Sequence, residues 1–178
     1  RLLYDKGLAE YVEAAKTLKK KYPTVRCELA GWVDTNPNAI SQQTLDQWIA
    51  EKNIIYLGKL EDVRLAIKNT SVYVLPSYHE GMPCTILEAM AMAKPVVSTN
   101  CDGVVDIVID GTTGIQVPPK NSPALADGLL KLILDPALRR TFGDAGRRRV
   151  EEMFDEEKQT GKLIDVYEKL IAKTREPA

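Results

Sequence analysis

The sequence predicts an α/β protein built on an open, doubly wound parallel sheet of the Rossmann-like kind. Short apolar strands alternate with amphipathic helices along the 178 residues, and the connections between them are short. The strand segment Val-Tyr-Val-Leu at residues 72–75 is continuously apolar, as expected when helices cover both faces of a parallel sheet. Ligands of such sheets bind at the carboxyl ends of the strands.

The first half of the chain repeats a helix and strand pattern twice. Apolar residues recur every three or four positions over residues 6–22, which predicts an amphipathic helix, and residues 25–30 predict a short strand. After a loop rich in Asn, Asp and Pro, a second helix is predicted to begin at Ser41 and a second strand to cover residues 54–57. Each crossover is therefore expected to be right-handed and to connect parallel strands.

The second half continues the alternation. We predict helices over residues 61–68, 83–93 and 125–133, and strands over residues 71–75, 95–99 and 114–117. Pro136 is predicted to begin a polar helix, and residues 155–173 are predicted to form a terminal helix with an apolar stripe. No repeat of fixed period and no long linker interrupts the pattern, so residues 1–178 are expected to form one domain.

Composition and charge restrict the class of protein. Lys and Arg total 24 against 25 Asp and Glu, so the net charge of -1 gives no overall attraction to nucleic acid. The three cysteines, Cys27, Cys84 and Cys101, form neither a disulfide framework nor a zinc motif, which favours a reducing compartment. With no apolar run near the ~18 residues of a membrane span, we expect a soluble, cytoplasmic protein. The basic runs at residues 19–21 and 147–149 are interpreted as solvated helix faces or as contacts with the inner face of the cytoplasmic membrane.

The most informative segment covers residues 75–99, where a strand ends, a polar loop turns and a helix begins. Pro83 suits the first helical turn, so the amides of Cys84, Thr85 and Ile86 are expected to point outward and to favour an anion such as phosphate. A carboxylate such as Glu88 would satisfy the same amides. Glu80 and Glu88 flank this turn, and a surface charge pair is the alternative interpretation.

These residues resemble glycosyltransferase family 4, whose members have the two-domain GT-B fold. Glu80 and Glu88, with seven residues between them, match the paired glutamates of that family. The resemblance extends over almost the whole chain and also includes these residues: Arg1, Lys6, Gly7, Gly31, Gly58, Pro76, Ser77, Gly81, Pro83, Pro95, Gly103, Asp106, Asp110, Gly111, Gly114 and Pro118.

The resemblance implies a retaining, metal-independent transferase with a nucleotide-sugar donor, which we expect to be a UDP-sugar. Glu88 would hold the ribose hydroxyls, because a carboxylate accepts from two hydroxyls at once. Glu80 would lie beside the donor sugar, where it stabilises positive charge or positions a hydroxyl. Arg1 and Lys6 would neutralise the donor diphosphate as the leaving group departs. No D-x-D triplet suggests a metal site, and no cofactor besides the donor substrate is expected.

The remaining donor contacts are expected from two loops. Gly81 and Met82 would lie near the sugar, and Pro83, Cys84, Thr85 and Ile86 near the phosphates. Gly58, Lys59 and Leu60 would edge the base, although a plain turn at a strand end is the alternative interpretation. His79 beside Glu80 is a weaker candidate for proton transfer, and Cys84 is interpreted as a small residue that fills space at the helix start.

The resemblance also implies that a second domain completes the enzyme. Residues 1–178 correspond to the carboxyl-terminal, donor-binding half of the GT-B fold, and the terminal helix over residues 155–173 would pack on the amino-terminal half. That half would hold a sugar or lipid-linked acceptor in the synthesis of bacterial polysaccharide, capsule or lipopolysaccharide. We therefore expect the isolated chain to bind donor and to transfer nothing.

The residues also bear on three other possible functions. A nicotinamide-dependent dehydrogenase would use the same sheet, but neither G-x-G-x-x-G nor G-x-x-x-x-G-K-[ST] occurs in the sequence. Ser77 has no neighbouring histidine triad, which disfavours a covalent serine mechanism. From a different class, a catalytically inactive nucleotide-sugar-binding module or scaffold remains the alternative.

Overall fold

The computed structural model describes the backbone of residues 1–175 and the side chains of residues 1–171. Within them, strands and helices alternate as predicted, which confirms the α/β class. The strands are β1 (Glu28–Ala30), β2 (Ile55–Gly58), β3 (Tyr73–Leu75), β4 (Val96–Thr99) and β5 (Gly114–Val117). The helices are α1 (Leu8–Lys21), α2 (Gln42–Ala50), α3 (Arg64–Asn69), α4 (Cys84–Ala91), α5 (Ser122–Leu134), α6 (Pro136–Met153) and α7 (Glu156–Arg175), and a 3₁₀ turn at Tyr4–Lys6 precedes α1.

All strand pairs are parallel, but they form two sheets and not one continuous sheet. β1 pairs with β2, and Glu28 lies opposite Ile55. The other sheet has the order β3-β4-β5, with Tyr73 opposite Val96 and Val96 opposite Gly114. β1 and β3 are therefore edge strands, one in each sheet.

Helices cover both faces of β4, which is buried throughout. Val97 belongs to a core cluster that includes α1 and α5, which pack against each other. Val96 belongs to a second cluster with Ile86 and Met90 of α4, and α4 packs on α6. Because successive strand residues point to opposite faces, these two valines place β4 at the centre of a three-layer structure.

Side-chain caps start several helices where the sequence changes from polar to apolar. The Ser41 hydroxyl accepts the Thr44 amide at the start of α2, as expected for its position in the sequence. Asn121 and Asp135 accept amides in the same way before α5 and α6. The predicted helix over residues 61–68 begins later, at Arg64, because the Asp62 carboxylate binds the amide and guanidinium of Arg64.

The terminal helix α7 matches the predicted segment over residues 155–173 and carries its apolar stripe on the outside. Six side chains of this stripe are 50–58% exposed: Leu163, Ile164, Val166, Tyr167, Leu170 and Ile171. Packing on an amino-terminal domain stays a prediction for this helix. Across residues 1–175 no helix combines the length and apolarity needed to cross a bilayer.

Candidate functional site

A cleft of about 1300 Å³ runs along β1 and β3 and reaches the loops after these strands, which is the edge where parallel sheets bind ligands. It passes between β1 and β3, because residues of both strands line it. The cleft brings together seven of the predicted site residues, namely Arg1, Lys6, Leu60, Glu80, Pro83, Cys84 and Thr85.

Glu80 is held in the cleft by two side-chain hydrogen bonds. The Lys6 ammonium donates to its Oε1 at 2.8 Å, and the Ser77 hydroxyl donates to the same oxygen at 2.6 Å. The Glu80 side chain is 12% exposed and that of Lys6 is 30% exposed, so water screens this ion pair only in part. Because both bonds end on Oε1, Oε2 is the oxygen left to act on a ligand.

Long-range contacts fix the path of the loop that carries Glu80. Gly7, with a φ of 65°, lies against the Pro76 carbonyl so closely that a Cβ would overlap it. Gly103, with a φ of 75°, lies in the same way against the Glu80 and Gly81 carbonyls. The Thr99 hydroxyl donates to the Ser77 carbonyl. Gly7 and Gly103 must therefore be glycines, because both have a positive φ and neither has space for a Cβ.

Tyr78 ties the same loop to α1. Its amide donates to the Asp5 carbonyl at 2.7 Å, and its hydroxyl donates to Glu10 Oε1 at 2.7 Å. The Lys120 ammonium lies 5.0 Å from the ring centroid. Burial, reinforced by the bond to Glu10, raises the pKa of Tyr78 to about 12, so the hydroxyl is neutral and donates at ordinary pH.

The start of α4 carries the predicted anion site with one correction. Pro83 lies just before the first helical residue, and among the described residues no side chain caps the helix. The Ile86 amide donates to the Pro83 carbonyl at 3.0 Å, and the Ile86 side chain is fully buried. The prediction of a free Ile86 amide is therefore wrong, which leaves the amides of Cys84 and Thr85 for an anion.

The second glutamate, Glu88, is exposed on α4 beyond the lining of the cleft. The charges of Glu88 and Glu80 both affect Tyr73. Burial raises the pKa of Tyr73 to about 12, a hydrogen bond with Thr85 opposes the shift, and the charges of Glu88 and Glu80 add to it. Both carboxylates therefore act on one tyrosine, Tyr73, which is the first residue of β3.

The predicted base loop and Arg1 lie on the β1–β2 side. β2 ends at Gly58, whose φ is 73°, and the Lys59 ammonium lies 5.2 Å from the centroid of the Trp32 ring. Among residues 58–60, Leu60 alone lines the cleft. Arg1 Nε lies 3.8 Å from Asp34 Oδ2, and the Arg1 side chain is 54% exposed.

Several predicted groups are open to solvent. Met82 is 62% exposed, and Gly81 and His79 are also exposed. Cys84 is exposed as well, so the interpretation of Cys84 as a residue that fills space is wrong. No cluster of three or more His, Cys, Asp or Glu able to hold a metal ion occurs in the described part of the chain.

Tyr73 lines the cleft, and Tyr78 and Asp34 contact segments around it, although sequence patterns did not single out these three residues. Their contacts depend on how distant segments meet, since Tyr78 reaches Glu10 and Asp34 reaches Arg1. Tyr78 and Asp34 lie in the loops after β3 and β1, and such loops form the binding edge of a parallel sheet. Tyr73 begins β3, so this signal does not mark it.

Parallel strands covered by helices, a cleft that reaches their carboxyl ends and two glutamates around an open helix start are typical of a glycosyltransferase domain with a GT-B architecture. The chain belongs to the family of glycosyl transferases group 1, whose model matches residues 1–149.

Individual proteins agree with this assignment. The chain is 31% identical over 167 residues to the capsular polysaccharide biosynthesis glycosyltransferase CapM of Staphylococcus aureus, and the match covers 94% of this chain and 44% of CapM. The chain thus spans less than half the length of that relative.

Two solved structures show the same fold. The carboxyl-terminal domain of the glycosyl transferase group 1 family protein LpcC from Francisella tularensis superposes with a TM-score of 0.76 and 29% identity, and the match covers 88% of this chain and 83% of that one. Anabaena Alr3699/HepE in complex with UDP superposes with a TM-score of 0.81 and 22% identity, over 95% of this chain and 47% of HepE. At that identity, HepE supports the fold alone.

Proposed function

We propose that the cleft binds the nucleoside diphosphate of a sugar donor, with UDP-sugar as the expected donor. The chain would serve as the carboxyl-terminal, donor-binding half of a retaining, metal-independent glycosyltransferase of bacterial polysaccharide, capsule or lipopolysaccharide synthesis. The observation that carries this proposal is the 2.8 Å contact between Lys6 and Glu80 beside the uncapped start of α4. It joins a cation for phosphate and a carboxylate for the sugar within one cleft.

The diphosphate is proposed to lie between Lys6, Arg1 and the amides of Cys84 and Thr85. An ammonium has three N–H donors, so Lys6 can hold Glu80 and a phosphate oxygen together. The start of an α-helix adds partial positive charge at the same place. Together these groups would stabilise negative charge that grows on the leaving diphosphate.

Glu80 and Glu88 are proposed to act on different parts of the donor. Glu88 accepts from the ribose hydroxyls, and Glu80 Oε2 faces the sugar. In a same-face transfer, the bond from the anomeric carbon to the phosphate oxygen breaks as the acceptor oxygen bonds to that carbon. The leaving phosphate oxygen takes the acceptor proton, so no side chain of this half has to serve as the base.

A nucleotide panel tests the proposal. UDP, GDP, ADP and NAD are titrated into the chain by calorimetry with chelator present, and UDP is expected to bind most tightly. Glu88→Ala should weaken UDP binding by about 10- to 100-fold, since hydrogen bonds to charged groups contribute ~1.5–3 kcal/mol. Glu152→Ala, a change at an exposed glutamate of α6, is the matched control and should leave affinity unchanged.

Alkylation of cysteine provides a second readout of the same site. Cys84 is exposed, whereas Cys27 and Cys101 are buried and serve as internal references. UDP should slow the labelling of Cys84 specifically. No binding of any nucleotide, or equal labelling of Cys84 with and without UDP, would contradict the proposal.

A further inference from the structure

Trp32, in the loop after β1, turns an aromatic ring toward solvent. The residue is 41% exposed, whereas Trp48, the other tryptophan of the sequence, is buried in the core cluster. Tryptophan is highly buried on average in folded proteins, because its large ring contributes strongly to a core. The exposure of Trp32 therefore leaves aromatic surface available to a ligand.

The loop that carries Trp32 lies beside the cleft. Ala30, two residues before Trp32, lines the cleft, and so do Arg1 and Leu2. The Leu2 amide donates to the Trp32 carbonyl at 2.9 Å, and Arg1 Nε lies 3.8 Å from Asp34 Oδ2 in the same loop. These contacts hold the loop next to the place proposed for the donor diphosphate.

Hydrogen bonds to the neighbouring glycine also fix the backbone at Trp32. The Gly31 amide donates to the Gly58 carbonyl at 2.9 Å, and the Tyr56 hydroxyl donates to the Gly31 carbonyl at 2.8 Å. The backbone that carries the ring is therefore held in place before a ligand binds. Such preorganisation lowers the entropy cost of binding.

Lys59 places a positive charge on the same ring. Its ammonium lies over the Trp32 ring, 5.2 Å from the centroid, and the residue is exposed. The negative face of an indole ring attracts a cation in this position. Because a ring has two faces, a flat ligand can stack on the face opposite the ammonium. The charge beside the ring also suits a ligand that carries phosphates.

The segment over residues 58–64 connects this ring with the proposed ribose site. It begins beside Trp32 and ends at Arg64. Hydrogen bonds with Asp62 raise the pKa of Arg64, and the charge of Glu88 also raises it, so Glu88 lies near the end of this segment. A base attached to a ribose at Glu88 can therefore extend along the segment toward Trp32.

We propose that the Trp32 ring stacks on the base of the donor nucleotide, beside Leu60 of the cleft wall. Stacking presupposes that the cleft binds a nucleoside diphosphate, as proposed above. Every base has a π face on which an aromatic side chain can stack. The ring therefore raises the affinity for any nucleoside diphosphate and does not select among the bases.

Calorimetry with UDP and with inorganic pyrophosphate separates the base from the diphosphate. Trp32→Ala should weaken UDP binding by about tenfold, which corresponds to ~1.4 kcal/mol, and Trp32→Phe should weaken it less because a ring remains. Pyrophosphate, which has no base, should bind both variants as tightly as it binds the parent chain. Tyr167→Ala, which removes an exposed ring from α7, is the matched control and should bind UDP with parent affinity.

Fluorescence gives a second readout in a Trp48→Phe variant, where Trp32 is the one remaining tryptophan. UDP should quench its emission, since a stacked base quenches indole fluorescence, and pyrophosphate should not. Unchanged UDP affinity in Trp32→Ala, equal losses of UDP and pyrophosphate affinity, or equal emission with and without UDP would overturn the stacking proposal. In each case a loss of UDP and pyrophosphate affinity in Lys6→Ala would still support the diphosphate site. No UDP binding to the parent chain would overturn both proposals.

Discussion

Among individual residues, the Glu80 carboxylate is held in place by segments that are distant in the sequence. The resemblance predicted Glu80 and Lys6 as site residues, but no sequence pattern predicts that the Ser77 hydroxyl also donates to Glu80 Oε1. That contact requires the loop path fixed by Gly7 and Gly103, and both contacts join segments far apart in the chain. Local patterns predict residue types at a site better than they predict which of them touch.

Gly103→Ala tests this control of Glu80. The change adds a Cβ that overlaps the Glu80 and Gly81 carbonyls at a φ of 75°, so we expect a loss of about 2 kcal/mol in the free energy of unfolding and weaker UDP binding. Gly111→Ala is the matched control, because its φ is 69° but nothing lies near the new Cβ. Chemical denaturation and calorimetry measure the two effects. Equal UDP affinities in the two variants would show that Gly103 does not position Glu80.

At the scale of elements, local sequence predicted the elements well and their ends less well. The strand at residues 114–117 has the predicted bounds. β1 begins at Glu28 and not at residue 25, because the Val25 amide donates to the Tyr22 carbonyl in a turn after α1. α4 ends at Ala91, before the predicted residue 93, and Ala93 adopts a φ of 55°. The pattern of polar and apolar residues does not predict the turns that set where β1 begins and where α4 ends.

Tyr73, Tyr78 and the Cys27 thiol predict that the free energy of unfolding falls at alkaline pH. Burial raises the pKa of Tyr73 and Tyr78 to about 12, and burial also raises the pKa of the Cys27 thiol. The folded chain therefore keeps protons that the unfolded chain releases. Stability from these groups is complete below pH 9 and is lost as the pH rises through 9 to about 12.

Denaturation by urea at a series of pH values measures this loss. Tyr73→Phe and Tyr78→Phe together should flatten the fall in unfolding free energy between about pH 10 and 12. Tyr167→Phe on α7, where the ring is 58% exposed, is the control and should leave the fall unchanged. A double variant with the same pH dependence as the parent chain would contradict the assignment to these two tyrosines.

At the scale of the whole molecule, the sequence predicted parallel strands but not their division into two sheets. Pairing in a parallel sheet joins strands that are far apart in sequence, and the alternation of helices and strands is the same for one sheet or two. The division matters because it leaves the cleft between β1 and β3 and places Lys6, Glu80 and the start of α4 around it.

Calorimetry with chelator present, comparing the affinity of UDP for Lys6→Ala and for Lys131→Ala, tests whether this cleft binds the donor diphosphate. Lys131 is exposed on α5, and its replacement removes the same charge outside the cleft. We predict about 10- to 100-fold weaker binding for Lys6→Ala, because a charge-assisted bond to phosphate is lost, and parent affinity for Lys131→Ala. Parent affinity in a folded Lys6→Ala chain would contradict the claim that this cleft binds the donor diphosphate.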